Sequence, residues 1–327
     1  MNALASLPDS ARIFLEAQAD RLRRLPARPR IVFPEGSDSR VQTAAERLRR
    51  ENLVEPILLG YENVVAPADA QRYIQLYLER RSAKGVTESH AAEVVRNPLY
   101  AAALMVASGD AQGFVGGAVN TTADTIRATL HCIGPARGTD IVSSSFLVAV
   151  PNPAFGHGGM LAFADCSVVI DPSPLELAEI AIATAATTRN IIGAEPVVAL
   201  LSFSTKGSAR HASVDAVIDA LRVVRHRATD LLIDGELQAD AALVESIGRS
   251  KAPGSQVAGR ANTLIFPDAA SGNIAVKLVE RLGGAVALGP FLQGLAKPAN
   301  DLSRGCSADD IYGTAIITAL QSTHASV

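Results

Sequence analysis

Short aliphatic runs recur along the chain, each followed by a turn and a stretch of helical period. That rhythm restricts the fold more than any single motif. Residues 30–34 read as a strand ending at the turn 34–38, followed by a helix over 41–50 and a second strand at 55–60. A mostly helical stretch at 88–108, which crosses Pro98, leads to a strand at 111–118 around Gly116-Gly117 and a helix over 121–130. This repetition predicts an α/β fold of βαβ units with right-handed crossovers, its mainly parallel sheets flanked by helices. Hydrophobic residues make up 48% of the chain, aromatics only 4%, and Trp is absent. Such an aliphatic core suits helices on a buried parallel sheet better than a β-sandwich.

The pattern changes after the break at 134–138. Residues 143–150 and 160–170 read as paired strands joined by the Gly/Pro-rich turn 151–159, so a second domain is expected to begin near residue 138. Strands at 197–202, 230–235 and 263–268 alternate with helices at 175–188, 214–228 and 274–282, and the final helix spans 308–320. A length of 327 residues fits two domains at roughly 100–200 residues each.

Charge and cysteine usage narrow the function. With 30 Lys+Arg against 33 Asp+Glu, the chain lacks the basic excess of a nucleic-acid binder. The N-terminal stretch reads as an amphipathic helix started by Pro8-Asp9-Ser10, without the basic and apolar regions of a signal peptide. No window offers the ~18 charge-free apolar residues a membrane span needs. Cys132, Cys166 and Cys306 are odd in number and form no CxxC, so they are expected as buried free thiols in a reducing cytoplasm. A cytoplasmic enzyme acting on small molecules follows as the expectation, with neither nucleic acid nor membrane as partner.

Three constellations can carry chemistry. Residues 266–273, between a strand and a helix, hold Ser271, Gly272 and Asn273. Ser271 and Asn273 can cap the helix, and its free N–H groups then make an anion site; an ordinary connection needing a cap and a glycine has the same sequence. Residues 288–310 lack a helix or strand pattern yet hold Lys297, Asn300, Asp301, Ser303, Arg304, Asp309 and Asp310. Arg304 can clamp a phosphate with its planar fork. Ser307, three residues before Asp310, also spells a capping box, and both roles for Asp310 are compatible. The neighbouring Asp309 is expected to be plain surface. In residues 120–127, Arg127 sits in the first turn of a helix, where it opposes the dipole unless an anion or Asp124 compensates. His131, His157 and His211 lie in no metal-binding spacing, and GxGxxG, GxSxG and GxxxxGK[ST] are all absent.

Taken in order, Phe33-Pro34-Glu35-Gly36, then Gly113-Phe114-Val115-Gly116-Gly117-Ala118, then Thr122-Ala123-Asp124-Thr125-Ile126-Arg127 resemble the phosphate acetyltransferase (phosphotransacetylase) family. So do Phe266-Pro267-Asp268 with Ser271-Gly272-Asn273, and Lys297-Pro298-Ala299-Asn300-Asp301-Leu302-Ser303-Arg304-Gly305-Cys306-Ser307. The last segment is the most specific, and the resemblance covers nearly the whole chain. It implies reversible acetyl transfer between coenzyme A and inorganic phosphate, a homodimer, and no permanently bound cofactor. It also implies two α/β domains of the isocitrate/isopropylmalate dehydrogenase type with a cleft between them, one built from both chain ends (1–137 and 293–327) and one central (138–292). By the same resemblance Ser303 assists the transition state and Arg304 holds the phosphoryl group. Asp310 takes the thiol proton, and Arg127 and Arg81 bind coenzyme A, with Arg80 competing for the register of Arg81. Ser271, Gly272, Asn273, Lys297 and Asn300 join them as substrate-binding candidates.

The chemistry suits these residue types. Phosphate carries about two negative charges near pH 7 and needs fixed donors and a cation. A thiol with a pKa near ~8.5 needs a base, and the tetrahedral oxygen needs donors. Direct thiolate attack requires neither metal nor protein nucleophile. Cys306 invites a covalent reading, but the sequence gives it no basic partner. Three alternatives remain at this point. A phosphate butyryltransferase shares fold and chemistry, although the Ser-Arg-Gly-Cys-Ser stretch favours the acetyl form. A catalytically silent acetyl-CoA-binding domain, as found fused to malic enzymes, is disfavoured by an initial Met, by the lack of a dehydrogenase half and by the retained Ser303, Arg304 and Asp310. A dehydrogenase of the isocitrate type would need clustered metal-binding acids.

Overall fold

The computed structural model of the protein describes residues 8–62 and 64–324. Among them the strands are β1 (Arg30–Phe33), β2 (Glu55–Leu58), β3 (Gly113–Gly116), β4 (Ser143–Ala149), β5 (Met160–Ala164), β6 (Val197–Leu201), β7 (Leu232–Leu237), β8 (Thr263–Ile265), β9 (Val286–Gln293) and β10 (Ala299–Asp301). The helices begin with α1 (Asp9–Arg23), α2 (Ser39–Arg50), α3 (Pro67–Arg81), α4 (Glu88–Val94), α5 (Pro98–Ser108) and α6 (Thr122–Cys132). They continue with α7 (Pro174–Thr187), α8 (Ala212–Arg227), α9 (Ala239–Leu243), α10 (Glu245–Lys251), α11 (Ala269–Gly283) and α12 (Ala308–His324).

Two compact units share the chain. A central unit comprises Thr139–Gly294 with the chain up to Leu15, and an outer unit comprises Glu16–Gly138 with Leu295 onward. The outer unit carries a four-stranded, fully parallel sheet in the order β10-β3-β1-β2. Val32 and Phe114 enter an aliphatic core with Leu99, Leu104 and Val106 of α5 and Ala128 of α6. Helix α12 covers the opposite face so closely that a Cβ added at Gly113 would lie 2.5 Å from the Thr318 side chain. Glycine there is a packing requirement.

The central unit has a mixed six-stranded sheet, β7-β6-β8-β5-β4-β9, with β7, β6, β8 and β5 parallel and the β5-β4-β9 edge antiparallel. Strand alternation divides its core in two. Phe163, Ala199 and Leu264 face one cluster with Phe146, Phe266 and Val276. Ala164, Val198, Leu200 and Ile265 face the other, with Leu177, Ile180, Val217 and Leu221 of α7 and α8. Such two-sided burial explains the uninterrupted apolar runs of these strands.

Several elements differ from the sequence expectation. Pro98 does not lie within one helix; it opens α5, with Asn97 as the cap accepting from Leu99 N at 2.9 Å. Strand β5 stops at Ala164, because Asp165 turns the chain by collecting the N–H groups of residues 167–169. Residues 288–310 are not a long loop, since they hold part of β9 and all of β10. Gly289-Pro290 masks β9 in the sequence, yet Pro290 falls where the β4 register shifts, at a bulge that needs no donor.

Candidate functional site

In the outer sheet, β2 extends from one side of β1, and β3 then β10 extend from the other. Ligands of open α/β sheets bind outside the carboxyl ends of strands where the order reverses in this way. The loops leaving β1, β3 and β10 carry the residues of interest. Glu35, buried just after β1, accepts from the backbone N–H of Gly117 (3.0 Å), Ala118 (2.7 Å), Val119 (2.9 Å) and Asn120 (2.7 Å), and from Asn120 Nδ2 (2.7 Å). One carboxylate therefore fixes the whole loop after β3.

The loop after β10 starts with Leu302 N donating to Gly116 O at 2.7 Å. Ser303 and Arg304 are exposed at its tip. Ser303 Oγ accepts from Gly305 N at 3.3 Å, and Ser303 O accepts from Cys306 N at 2.9 Å. Among the described residues the Arg304 guanidinium has no hydrogen-bond or ion-pair partner. Cys306 packs beneath the loop, and burial pushes its thiol up to about 11, against the pull of Arg40. A thiol so held is a poor nucleophile at neutral pH.

Asp310 starts α12. Its Oδ2 accepts from Ser307 N (2.8 Å) and Ser307 Oγ (2.9 Å), while its own N–H donates to Ser307 Oγ at 3.1 Å. The capping box spelled by the sequence is present, and the carboxylate remains exposed. Asp309 is not plain surface. It pairs with Arg47 at 2.9 Å, and that guanidinium stacks over the Tyr312 ring at 3.8 Å and also bonds Glu51. The acid beside Asp310 thus ties α12 to α2.

Below the loop, buried Asp301 has Oδ1 without a partner. Burial raises its carboxyl to about 6; Thr122 and Thr125 pull it down and Glu35 adds to the rise. Asn300 is fully buried, its Nδ2 donating to Thr318 Oγ1 and Gln321 Oε1 at 2.7 Å each. Lys297 is half-buried, donating to Ala107 O at 3.1 Å, and burial followed by the charge of Arg80 lowers its pKa. Both polar side chains thus point into the unit's own framework.

A basic cluster lies along α3 and α6. Arg127 is exposed and pairs with Asp124 at 2.7 Å, so the local acid compensates its place near the helix start. Arg80 is committed to Ile133 O at 2.7 Å. Arg81 keeps a buried Nε without a partner, as does His131 at Nδ1. Burial lowers the His131 pKa, helped by the charges of Arg81 and Arg127.

Ser271, Gly272 and Asn273 belong to the central unit, in the first turns of α11. That helix starts at Ala269, earlier than the sequence suggested, because Asp268 is the cap and accepts from Ser271 N at 2.7 Å. Neither Ser271 nor Asn273 caps it. Ser271 Oγ donates to Asp268 O at 2.9 Å, and Asn273 Nδ2 donates to Cys166 O at 3.1 Å. A Cβ on Gly272 would stand 2.4 Å from Asp165 O, so this turn must approach the β5 loop with no side chain. Among the described residues no cluster of His, Cys, Asp and Glu could hold a metal, and no helix is long and apolar enough to cross a membrane.

The sequence reading missed Glu35 as a loop organiser, together with Arg40 and Asp165, and it named Asp301 without foreseeing its burial. Only Glu35 offered a signal, as the acid directly after a strand in Phe33-Pro34-Glu35-Gly36.

An open α/β fold presenting Ser, Arg and a carboxylate at the strand ends is the framework of an enzyme for anionic small molecules. The sequence profile described as Phosphate acetyl/butaryl transferase matches residues 13–319, and the chain belongs to that family of acyltransferases, as its motifs indicated. The phosphate acetyltransferase of Paracoccus denitrificans is 48% identical over 299 residues, spanning 89% of this chain and 94% of its own. A crystal structure of a phosphotransacetylase from Streptococcus pyogenes superposes with a TM-score of 0.90 at 42% identity, covering 96% of this chain and 99% of that one. A putative 4-hydroxythreonine-4-phosphate dehydrogenase from Salmonella typhimurium, 9% identical with a TM-score of 0.53 over 90% of this chain and 100% of its own, shares the fold alone.

Proposed function

We propose that this chain is a phosphate acetyltransferase, interconverting acetyl-CoA and phosphate with acetyl phosphate and coenzyme A. In the thioester-forming direction the coenzyme A thiol attacks the acetyl carbon. The S–C bond forms, the bond from carbon to the phosphate oxygen breaks, phosphate leaves, and the thiol proton passes to Asp310. Arg304 holds the phosphoryl group, and Ser303 donates to the oxygen that gains charge. Arg81 and Arg127 bind the anionic groups of coenzyme A; the neighbouring Arg80 gives one Nη1 bond to Ile133 O. Ser271, Gly272, Asn273, Lys297 and Asn300 make internal bonds or close contacts, and we assign them to holding loops.

The observation that carries this reading is the loop after β10, where Ser303 and Arg304 have side chains turned to solvent on a backbone tied down from below. Coenzyme A serves as substrate, and no resident cofactor is needed. Three free, buried cysteines suit a reducing cytoplasm. Ile274, Leu278 and Leu282 form an exposed apolar stripe at four-residue spacing on α11, which supports a homodimer. The test is thioester formation from acetyl phosphate and coenzyme A, compared with butyryl phosphate. Faster acetyl than butyryl transfer is expected; the reverse order would make the chain a butyryltransferase, and no turnover with either would sink the reading.

A further inference from the structure

Arg40 lies in the first turn of α2, away from the Ser-Arg motif in sequence, yet it touches that motif directly. Its Nη1 donates to the backbone oxygens of Arg304 (2.8 Å) and Cys306 (2.9 Å). Nη2 donates to Ala118 O (2.8 Å) and Asp38 Oδ2 (2.8 Å), and Nε donates to Asp38 Oδ1 (3.0 Å). A guanidinium has five N–H donors, and all five are used. None is left for a substrate, so Arg40 cannot act as a second phosphate clamp.

The placement of these bonds is informative. A single nitrogen binds the carbonyls on both sides of Gly305, which fixes the turn bearing Arg304. The bond to Ala118 O joins that turn to the loop whose N–H groups Glu35 has collected. Asp38, itself the α2 cap accepting from Arg40 N at 2.8 Å, grips the guanidinium with both oxygens and sets its plane. Lysine cannot reproduce this, because a compact ammonium cannot span three carbonyls and a two-oxygen grip in one plane.

We infer that Arg40 is a positioning residue for Arg304: by tying the 304–306 turn to the loop after β3, it fixes where the phosphate-binding guanidinium is presented. This inference rests on the reading of Arg304 as the phosphoryl clamp. A displacement of about 1 Å in such a group costs on the order of 10²-fold in rate.

The experiment is a mutant cycle with Arg40→Lys and Arg40→Met, each made in the parent and in an Arg304→Ala background. It reads kcat/KM for acetyl phosphate, KM for coenzyme A and the melting temperature. In the parent, replacing Arg40 is expected to lower kcat/KM for acetyl phosphate by about 10²-fold, with KM for coenzyme A near that of the parent. In the Arg304→Ala background the same change is expected to cost almost nothing, because the residue through which Arg40 acts is gone. Equal losses in both backgrounds, beside an impaired Arg304→Ala, would overturn this inference and leave the clamp reading intact. A fully active Arg304→Ala enzyme would overturn both. If Arg40→Met does not fold, the lysine variant carries the cycle; failure of both to fold would make Arg40 a residue of the fold and also overturn the inference.

Discussion

Two strand-to-helix connections, each taken with the first turns of its helix, hold most of the candidate residues, and they are built in opposite ways. In the first turns of α11, just after β8, the side chains face inward: Ser271 bonds Asp268, Asn273 bonds Cys166 O, and Gly272 gives up its side chain to let the β5 loop approach. Between β10 and α12 the backbone is held by Gly116 and Arg40, while the Ser303 and Arg304 side chains stay exposed. The first spends its polar groups on geometry. The second takes its geometry from other segments and leaves its polar side chains exposed. Substitutions should therefore separate, with stability lost in the first connection and turnover lost in the second.

The largest expected effect tests the second connection. Asp310→Asn should lower turnover by about 10²-fold or more while the melting temperature stays near that of the parent, because an amide cannot accept the thiol proton. Partial recovery at higher pH is expected, where more of the thiol is already ionised. Asp309→Asn is the control; it loses the Arg47 pair, a half-exposed contact worth about 0.2–1 kcal/mol. Full activity in both variants would remove the general base from the mechanism.

Gly272→Ala comes next, on the other side of the comparison. The added methyl meets backbone, which cannot swing aside, so a destabilisation of about 1–3 kcal/mol is expected in denaturant melts. An enzyme of parent stability with lost turnover would place this turn in the chemistry and end the contrast.

Asp301, beneath the second connection, adds a pH test. Its carboxyl is pushed up to about 6 from 3.8. Between those values the folded protein binds a proton that the unfolded chain has released, so stability falls as pH rises through the window and stays lower above it. Relative to the parent, Asp301→Asn should gain about 1–3 kcal/mol between about pH 4 and pH 8, read from urea midpoints. A pH-independent difference would mean that Asp301 stays ionised throughout. The smallest effect is Asn273→Ala, with about 0.5–1.5 kcal/mol lost for one hydrogen bond and kcat unchanged; a fall in kcat alone would reassign Asn273 to substrate.

The alternating α/β order was legible because strands buried on both faces read as aliphatic runs, as in Val197–Leu201. Helix α3 was harder to see, since Tyr73 and Tyr77 are its main buried anchors among charged neighbours. Strand β10 is three residues long behind a proline, too short for a periodic signal. Ser303, Arg304 and Asp310 stood out through one contiguous motif. The inward aim of Asn300 and Lys297 did not, because residue type reveals polarity and not direction. Apart from the local Arg40–Asp38 pair, Glu35 and Arg40 act on partners 78 to 266 positions away, and no local pattern names those partners.

Strand β4 enters the central unit and β9 leaves it, and the two are paired from Ser143 opposite Gln293 to Ala149 opposite Val286. The doors of this segment therefore stand side by side. Residues 139–294 are inserted into the chain the way a parenthesis is inserted into a sentence, with the start of α1 as far as Leu15 belonging to the same unit. Exchanging or lengthening this insert alters the sequence distance between β3 and β10 without altering the three residues over which they pair. A gene could thus rework one half of the enzyme while leaving intact the strand pairing on which the Ser-Arg loop is mounted.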